Sequence, residues 1–275
     1  MATLPMALEF ASATDPGRVR SHNEDSIGTD PDIGLAVLAD GMGGYNAGEV
    51  ASGIAVAVVS SEIKKALNGK SPHRTDPSTG ETEAERVARQ HAFKANTSIF
   101  EAARSQPQYA GMGTTLVAAL FFDNRICVAH VGDSRLYRLR GESFEQITRD
   151  HSLLQEQIDS GMITKEAAKL SQNKNLVTRA LGIDSEVDTE VHVYDAKRGD
   201  IYLLCSDGLS DMVEDEDIHL TLSSLTQNLQ LAADQLVQQA NDNGGRDNVS
   251  VILVRVKDEY AAPRGWLTRL VSWFK

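Results

Sequence analysis

The spacing of apolar and polar positions changes several times along the chain, and each change marks an element. Residues 6–13, MALEFASA, alternate and predict a first strand, closed by a turn at Asp15-Pro16-Gly17. A polar cluster, Arg18 to Asp25, leads into a short strand at 26–28. Asp30-Pro31-Asp32 then turns into the apolar run LAVLA at 35–39, which meets Asp40 and four permissive positions, Gly41, Met42, Gly43 and Gly44. Residues 47–67 carry a helical period with Val50, Ile54, Val58 and Ile63 on the apolar side. Residues 69–82 have loop composition and are expected to form a mobile surface insertion. A second helix is expected at 83–104 with Val87, Phe93, Ile99 and Phe100 facing inward.

Beyond Gly111-Met112-Gly113 the period shortens. TTLVAALFF, RICVAHVG, SRLYRLR and SFEQIT are four β-rich runs separated by turns, and they predict an antiparallel meander. Asp150 or Ser152 should cap a helix beginning near Leu153. The polar stretch 159–180, with a short helix at 164–169, has few large apolar residues and is expected to protrude as a flap. VDTEVHVYDA and DIYLLCS are further strands, 214–241 hold one or two helices, and NVSVILVRV is the last strand. Strands and helices come in blocks, without the crossover helix that each parallel connection needs. The expected class is therefore α+β with antiparallel sheets in layers.

Composition narrows the chemistry. The 275 residues, 41% apolar and 24% charged, suffice for one large domain or two small ones, with a substantial core. A net charge of −12 argues against a nucleic-acid surface, so no nucleic acid is expected as a partner. An acidic chain that handles phosphorylated groups needs local positive charge, from a metal or a placed arginine. Cys127 and Cys205 sit inside apolar runs and are expected to be buried free thiols of a reducing compartment. There is no basic start followed by an apolar stretch, and no apolar run approaches the ~20 residues of a membrane span. A cytoplasmic location is the expectation.

Carboxylates recur where strands meet turns. Asp40 follows LAVLA, Asp133 follows ICVAHVG, Asp207 follows IYLLCS, Asp247 precedes VSVILVRV, and Glu24-Asp25 precede the strand near Ile27. Any one of these reads as an ordinary turn aspartate. Five together suggest a shared site, which like charges can occupy only with cations present. Oxygen donors without a His or Cys cluster suit Mg²⁺ or Mn²⁺ and disfavour Zn²⁺. Two such ions would supply about +4 locally.

The ordered motifs RVRSHNEDS, LADGMGG, GMGTTLVAA, HVGDSRLYRL, RDHSL, LCSDGL and GGRDNVSVILV resemble those of the metal-dependent Ser/Thr protein phosphatases (the PPM or type 2C family), especially its compact bacterial branch. They span about residues 9 to 257. The resemblance implies a four-layer α-β-β-α sandwich, two antiparallel sheets face to face with helices outside, and a flap subdomain. It implies a phosphatase domain over 1–260, with the flap at about 153–180, and leaves 261–275 beyond it as an amphipathic helix or tail. It implies that Asp40 bridges two metals, with the Gly41 carbonyl and Glu24 on one and Asp207 and Asp247 on the other. Asp25 would orient ligands or water, Asp133 with Asp207 would hold a third, weaker ion, and Arg20 would bind the substrate phosphate. The implied reaction is direct hydrolysis of phosphoserine or phosphothreonine by a water held between two Mn²⁺ or Mg²⁺ ions, attacking phosphorus in line.

Two positions depart from the family. Met42 stands where many eukaryotic members have a His that could act as general acid, and Tyr45 where many bacterial members have His. The leaving-group proton must then come from metal-bound water, His22, Tyr45 or solvent. The implied partners are phosphorylated Ser/Thr proteins, including a bacterial Ser/Thr kinase or its substrates. The alternatives are a non-catalytic phosphoprotein-binding regulatory module and a phosphatase dedicated to one anti-sigma-factor antagonist. The full set of expected ligands speaks against the first.

Other chemistries lack their residues. Neither cysteine has an Arg six positions on, GMGGYNAG breaks the dinucleotide fingerprint at Asn46, and there is no GK[ST] or G-x-S-x-G run. The tail PRGWLTRLVSWFK, from Pro263, has Leu267, Leu270, Val271 and Phe274 on one helical face beside Trp266 and Trp273. It is expected either to fold back on the domain or to contact a partner or membrane surface. A monomer is expected.

Overall fold

The computed structural model describes residues 4–44, 47–164, 167–168 and 176–262. In chain order the elements are α1 (Leu4–Ala7), β1 (Leu8–Asp15), β2 (Asp25–Asp30), β3 (Leu35–Met42), α2 (Ala47–Leu67), α3 (Glu83–Ser105), β4 (Gly113–Thr114), β5 (Leu116–Phe122), β6 (Arg125–Val131), β7 (Arg135–Arg140) and β8 (Ser143–Gln146). There follow α4 (Leu153–Asp159), β9 (Glu190–Asp195), β10 (Ile201–Cys205), α5 (Asp207–Ser210), α6 (Asp215–Ser224), α7 (Leu229–Asp242) and β11 (Val249–Val256). Two antiparallel sheets result: one in the order β1-β11-β10-β7-β8, the other β2-β3-β5-β6-β9, with β4 paired to β3.

Period-2 alternation explains the layers. Along β3, Leu35, Val37 and Ala39 pack with Ala51, Ala55, Val59 and Ile63 of α2 and with Val87 and Ile99 of α3. Ala36 and Leu38 point the other way, into a layer shared with Tyr202 and Leu204 of β10 and Ile252 and Val254 of β11. Leu203, Cys205, Val251 and Leu253 face Ile218 and Leu222 of α6 and Leu236 and Ala240 of α7. Helices, sheet, sheet, helices is the four-layer α+β sandwich that the resemblance implied. Both faces of each sheet are covered, which is why the central strands read as unbroken apolar runs.

Several local expectations change. Residues 4–7 form a helical turn, so the first strand starts at Leu8. The helix over 47–67 stands, but its fully buried face is the small-residue row Ala51, Ala55 and Val59, while Val50, Ile54 and Val58 are only partly buried. Close approach to β3 selects alanines there. Phe93 is 49% exposed, because the inward row of α3 runs through Val87, His91, Ala92, Ala95 and Ile99. Asp207 opens a one-turn helix after the strand. At the start of α4 the cap is Ser152, whose side chain accepts the Gln155 N–H, while Asp150 pairs with Arg135. Half of the short helix expected at 164–169 falls outside the described residues.

The largest correction concerns the meander. β5 and β6 form a hairpin through Asp123 and Asn124, both at positive φ, as a tight two-residue turn requires. β6 then pairs with β9, and β7 pairs with β8 and β10 in the other sheet. The chain changes sheets at Gly132-Asp133-Ser134. Four β-rich runs in sequence cannot reveal this, because both pairings leave the same alternation.

Candidate active site

The functional side chains collect where the apolar layer between the sheets runs out. Asp40 is the next residue after Ala36 and Leu38 on the inter-sheet face of β3. Ser206 and Ser250 occupy the matching ends of the inter-sheet rows of β10 and β11. Asp25 lies directly across the ladder from Asp40. Ser206 Oγ donates to Asp25 Oδ2 at 2.8 Å and accepts the Ser250 N–H at 3.0 Å. Asp40 is fixed through its backbone: its N–H donates to Thr115 Oγ1 at 3.0 Å, and its carbonyl accepts from Thr114 Oγ1 at 2.8 Å and Thr115 N–H at 2.9 Å.

Close backbone approach dictates the glycines. A Cβ on Gly41 would lie 2.1 Å from the Gly48 carbonyl oxygen and 2.5 Å from that of Glu24, and the Gly41 N–H donates to the same Glu24 carbonyl at 3.1 Å. A Cβ on Gly48 would meet Glu24 Oε1 at 2.7 Å, so the first turn of α2 presses the Glu24 carboxylate into place. Gly208, after Asp207, passes Asn248 so tightly that a Cβ would come within 2.0 Å of its carbonyl oxygen. Asn248 organises the loop carrying the predicted phosphate ligand. Its Nδ2 donates to the carbonyls of Pro16 at 3.0 Å and His22 at 2.8 Å, and its Oδ1 accepts the Glu24 N–H at 2.8 Å. Asp247 pairs with Arg20 at 2.8 Å.

The carboxylates lie near enough to perturb one another. Asp40 and Asp207 are half-buried. Burial first, then repulsion from other carboxylates of the cluster, pushes both well above the usual range. For Asp40 the repelling neighbours are Asp25, Asp207, Asp133 and Asp247. Burial raises Asp25 to about 6 against the lowering hydrogen bonds from Ser250, Ser206 and Asp40. Asp133 is raised to about 6 by burial and then by Asp150. Asp25 Oδ1 is buried with no hydrogen-bond partner. An all-oxygen donor set, short of countercharge and with an orphaned buried oxygen, fits hard divalent cations.

The sequence-predicted residues Arg20, Glu24, Asp25, Asp40, Gly41, Asp133, Asp207 and Asp247 thus reach one end of the sandwich. His22 is exposed there and enters the site's framework through its carbonyl. Tyr45 and the tail 263–275 lie outside the described residues. The residues that sequence reasoning missed are the polar partners Thr115, Ser134, Ser206 and Asn248, and Gly48 in the first turn of α2. Their sole signal was a hydroxyl, amide or glycine beside a strand end. Both cysteines are buried and free, and burial raises their thiols, Cys205 to about 12, so neither offers a nucleophile.

Among the described residues, one cluster outside the acidic site has metal-like spacing: ligand atoms of His130, His151 and Glu190 lie within 4.8 Å of one another. The hydrogen bonds argue against a metal. The Gly132 N–H donates to His151 Nδ1 at 3.1 Å, so the proton of the neutral ring sits on Nε2, which faces Glu190 Oε1 at 3.1 Å. His151 therefore has no lone pair left for an ion.

A two-sheet sandwich ending in a carboxylate cluster is the architecture of a metal-dependent phosphatase. The sequence pattern of the family described as Protein phosphatase 2C matches residues 18–243, and the chain belongs to that family. Serine/threonine phosphatase stp of Listeria welshimeri is 39% identical over 244 residues, 88% of this chain and 93% of that protein. Serine/threonine protein phosphatase PstP of Mycobacterium tuberculosis is 39% identical over 275 residues, 99% of this chain and 50% of that longer protein. The crystal structure of PstP superposes with a TM-score of 0.82 at 37% identity, covering 91% of this chain and 99% of that one. The PstP catalytic domain in complex with two manganese ions gives a TM-score of 0.78 at 38% identity, covering 91% and 99%. The role of this chain is that of a catalytic Ser/Thr phosphatase.

Proposed function

We propose that the chain hydrolyses phosphoserine and phosphothreonine in proteins by direct attack of water, opposing a Ser/Thr kinase in the cytoplasm. The observation that carries this reading is the convergence of Glu24, Asp40, Asp207 and Asp247, with the Gly41 backbone, at the end of the inter-sheet layer. These groups would hold two Mn²⁺ or Mg²⁺ ions, Asp40 contributing to both, and Asp133 with Asp207 would hold a third. When bound, such ions supply Lewis acidity to the attacking water and offset the phosphoryl charge.

The chain's own residues set the geometry. The ladder pairing of Asp25 with Asp40 and the bonds from Thr114 and Thr115 hold the central carboxylate at a fixed depth. Arg20 is half-exposed and tethered to Asp247, so its planar guanidinium stands at the rim, free to take two phosphoryl oxygens. His22 is exposed beside Arg20 in sequence and can deliver a proton to a leaving alkoxide, a step Met42 cannot perform. The hydrolytic unit proposed is residues 1–260, with the flap over about 153–180 flanking the site. Turnover of p-nitrophenyl phosphate and of a phosphothreonine peptide tests the reading. Activity should require added Mn²⁺ or Mg²⁺, vanish with chelator, and vanish in Asp207→Ala. Metal-independent turnover by folded protein would contradict it.

A further inference from the structure

We propose that His151 is a positioning residue for Asp133: it clamps the sheet-switching turn so that this carboxylate is held for its ion. This rests on the reading of Asp133 as a metal ligand given above. The turn Gly132-Asp133-Ser134 is bonded on both flanks of Asp133. Gly132 N–H donates to His151 Nδ1 at 3.1 Å, and the His151 N–H donates back to the Gly132 carbonyl at 2.8 Å. On the far flank, His130 Nε2 donates to the Ser134 carbonyl at 3.0 Å, and Ser134 Oγ pairs with Thr115 Oγ1 at 2.7 Å. Thr115 Oγ1 is also the acceptor for the Asp40 N–H, so the backbone segments bearing Asp40 and Asp133 are tied through the paired hydroxyls of Thr115 and Ser134.

Gly132 has φ +106°, and a Cβ there would strike the Thr115 side chain at 2.6 Å. The turn is thus tight and conformationally demanding, and its geometry depends on outside bonds. His151 supplies two of them from one residue. Its ring must present a lone pair at Nδ1, which requires the proton on Nε2, and Glu190 selects that tautomer by accepting from Nε2 at 3.1 Å. The His151 side chain is buried, with its ring packed at a tilt against that of His130, centroids 4.7 Å apart. A purely space-filling role would need neither the Nδ1 acceptor nor the Glu190 contact.

Two amides separate these functions, because Asn places an oxygen near the Nδ1 position and Gln places a donor near Nε2. Mn²⁺ alone is the probe, titrated into chelator-treated protein and followed by the loss of the free-ion electron paramagnetic signal. Asp133→Asn is run in parallel, with thermal melts for every variant. The expected result is that His151→Gln weakens the weakest bound Mn²⁺ about 10–100-fold, the usual cost of losing a residue that orients a ligand, and that His151→Asn recovers much of it. Glu190→Ala should give a smaller weakening in the same ion. An Asp133→Asn isotherm equal to wild type removes the ligand reading and this inference with it. An altered Asp133→Asn isotherm beside wild-type curves for both His151 variants, or equal weakening by Gln and Asn, overturns the clamp alone. Should His151→Gln fail to fold, Glu190→Ala decides the matter by the same isotherm: a weakened ion supports the clamp and a wild-type curve overturns it.

Discussion

Leu38 and Asp40 stand two residues apart on one strand and face the same way, yet they live in opposite environments. Leu38 is fully buried in the layer between the sheets. Asp40, one step further along the same face, belongs to a carboxylate cluster whose members raise one another's affinity for protons. The same contrast recurs on β10, where Leu204 precedes Ser206. One alternation therefore builds both the adhesive middle of the sandwich and its reactive end. The difference between them is the side chain chosen where the facing sheet no longer supplies apolar contacts. The middle lowers the free energy of folding, and the end raises it until cations arrive.

The sharpest way to break this comparison is a pair of substitutions. Asp40→Asn should reduce phosphatase turnover by about a thousandfold or more, since the shared donor is lost. In chelator-treated protein the same change should raise the melting temperature, because a buried repelling charge is removed. Leu38→Ala should do the reverse. It should cost about 2–5 kcal/mol of stability through the cavity it leaves, with turnover per folded molecule near wild type. Denaturant unfolding and p-nitrophenyl phosphate assays measure both, and a Leu38→Ala enzyme that is stable yet inactive would sink the division of labour.

A weaker effect follows from pH. Asp25 and Asp133 have folded values raised to about 6, above the ordinary 3.8. The folded state then holds protons more tightly than the unfolded state, so this contribution is complete below about pH 4 and fades as pH rises through about 6. Chelator-treated protein should lose a few degrees of melting temperature between pH 5 and 7.5, and added Mn²⁺ should restore more at the higher pH. A melting temperature that rises over this interval, with Asp40→Asn behaving alike, would contradict the acidic end as a source of strain. The smallest effect is expected on the outer helix face. Phe93→Ser should stay within about 0.5 kcal/mol by denaturant unfolding, because Phe93 lies outside the packed row of α3.

Much of the site was legible because its chemistry is written in residue type. Asp40, Asp133, Asp207 and Asp247 each end or begin an apolar run, and a carboxylate placed repeatedly at strand ends has few structural uses. The helical and strand periods fixed most elements for a similar reason, since burial on one face leaves a period of 3.6 or 2. Phe93 misled because α3 buries alanines and His91 instead, and a large apolar side chain carries no mark of which way its helix is turned.

The chain alone determined most element types and the acidic donor set, which follow from local spacing and residue chemistry, whereas the bare backbone at 41 and 208 is explained by the Gly48 and Asn248 carbonyls that pass it. Tertiary structure alone decided which strands share a sheet. It parted β6 from β7 at Gly132, joined Asp25 to Asp40, and brought His151 and Glu190 against the turn bearing Asp133. Strand pairings link residues as near in sequence as Asp25 and Asp40 and as distant as Leu8 and Val256 of β1 and β11, and alternation along one strand is identical whichever neighbour it meets. Only the packing of both sheets on their helices selects the partner.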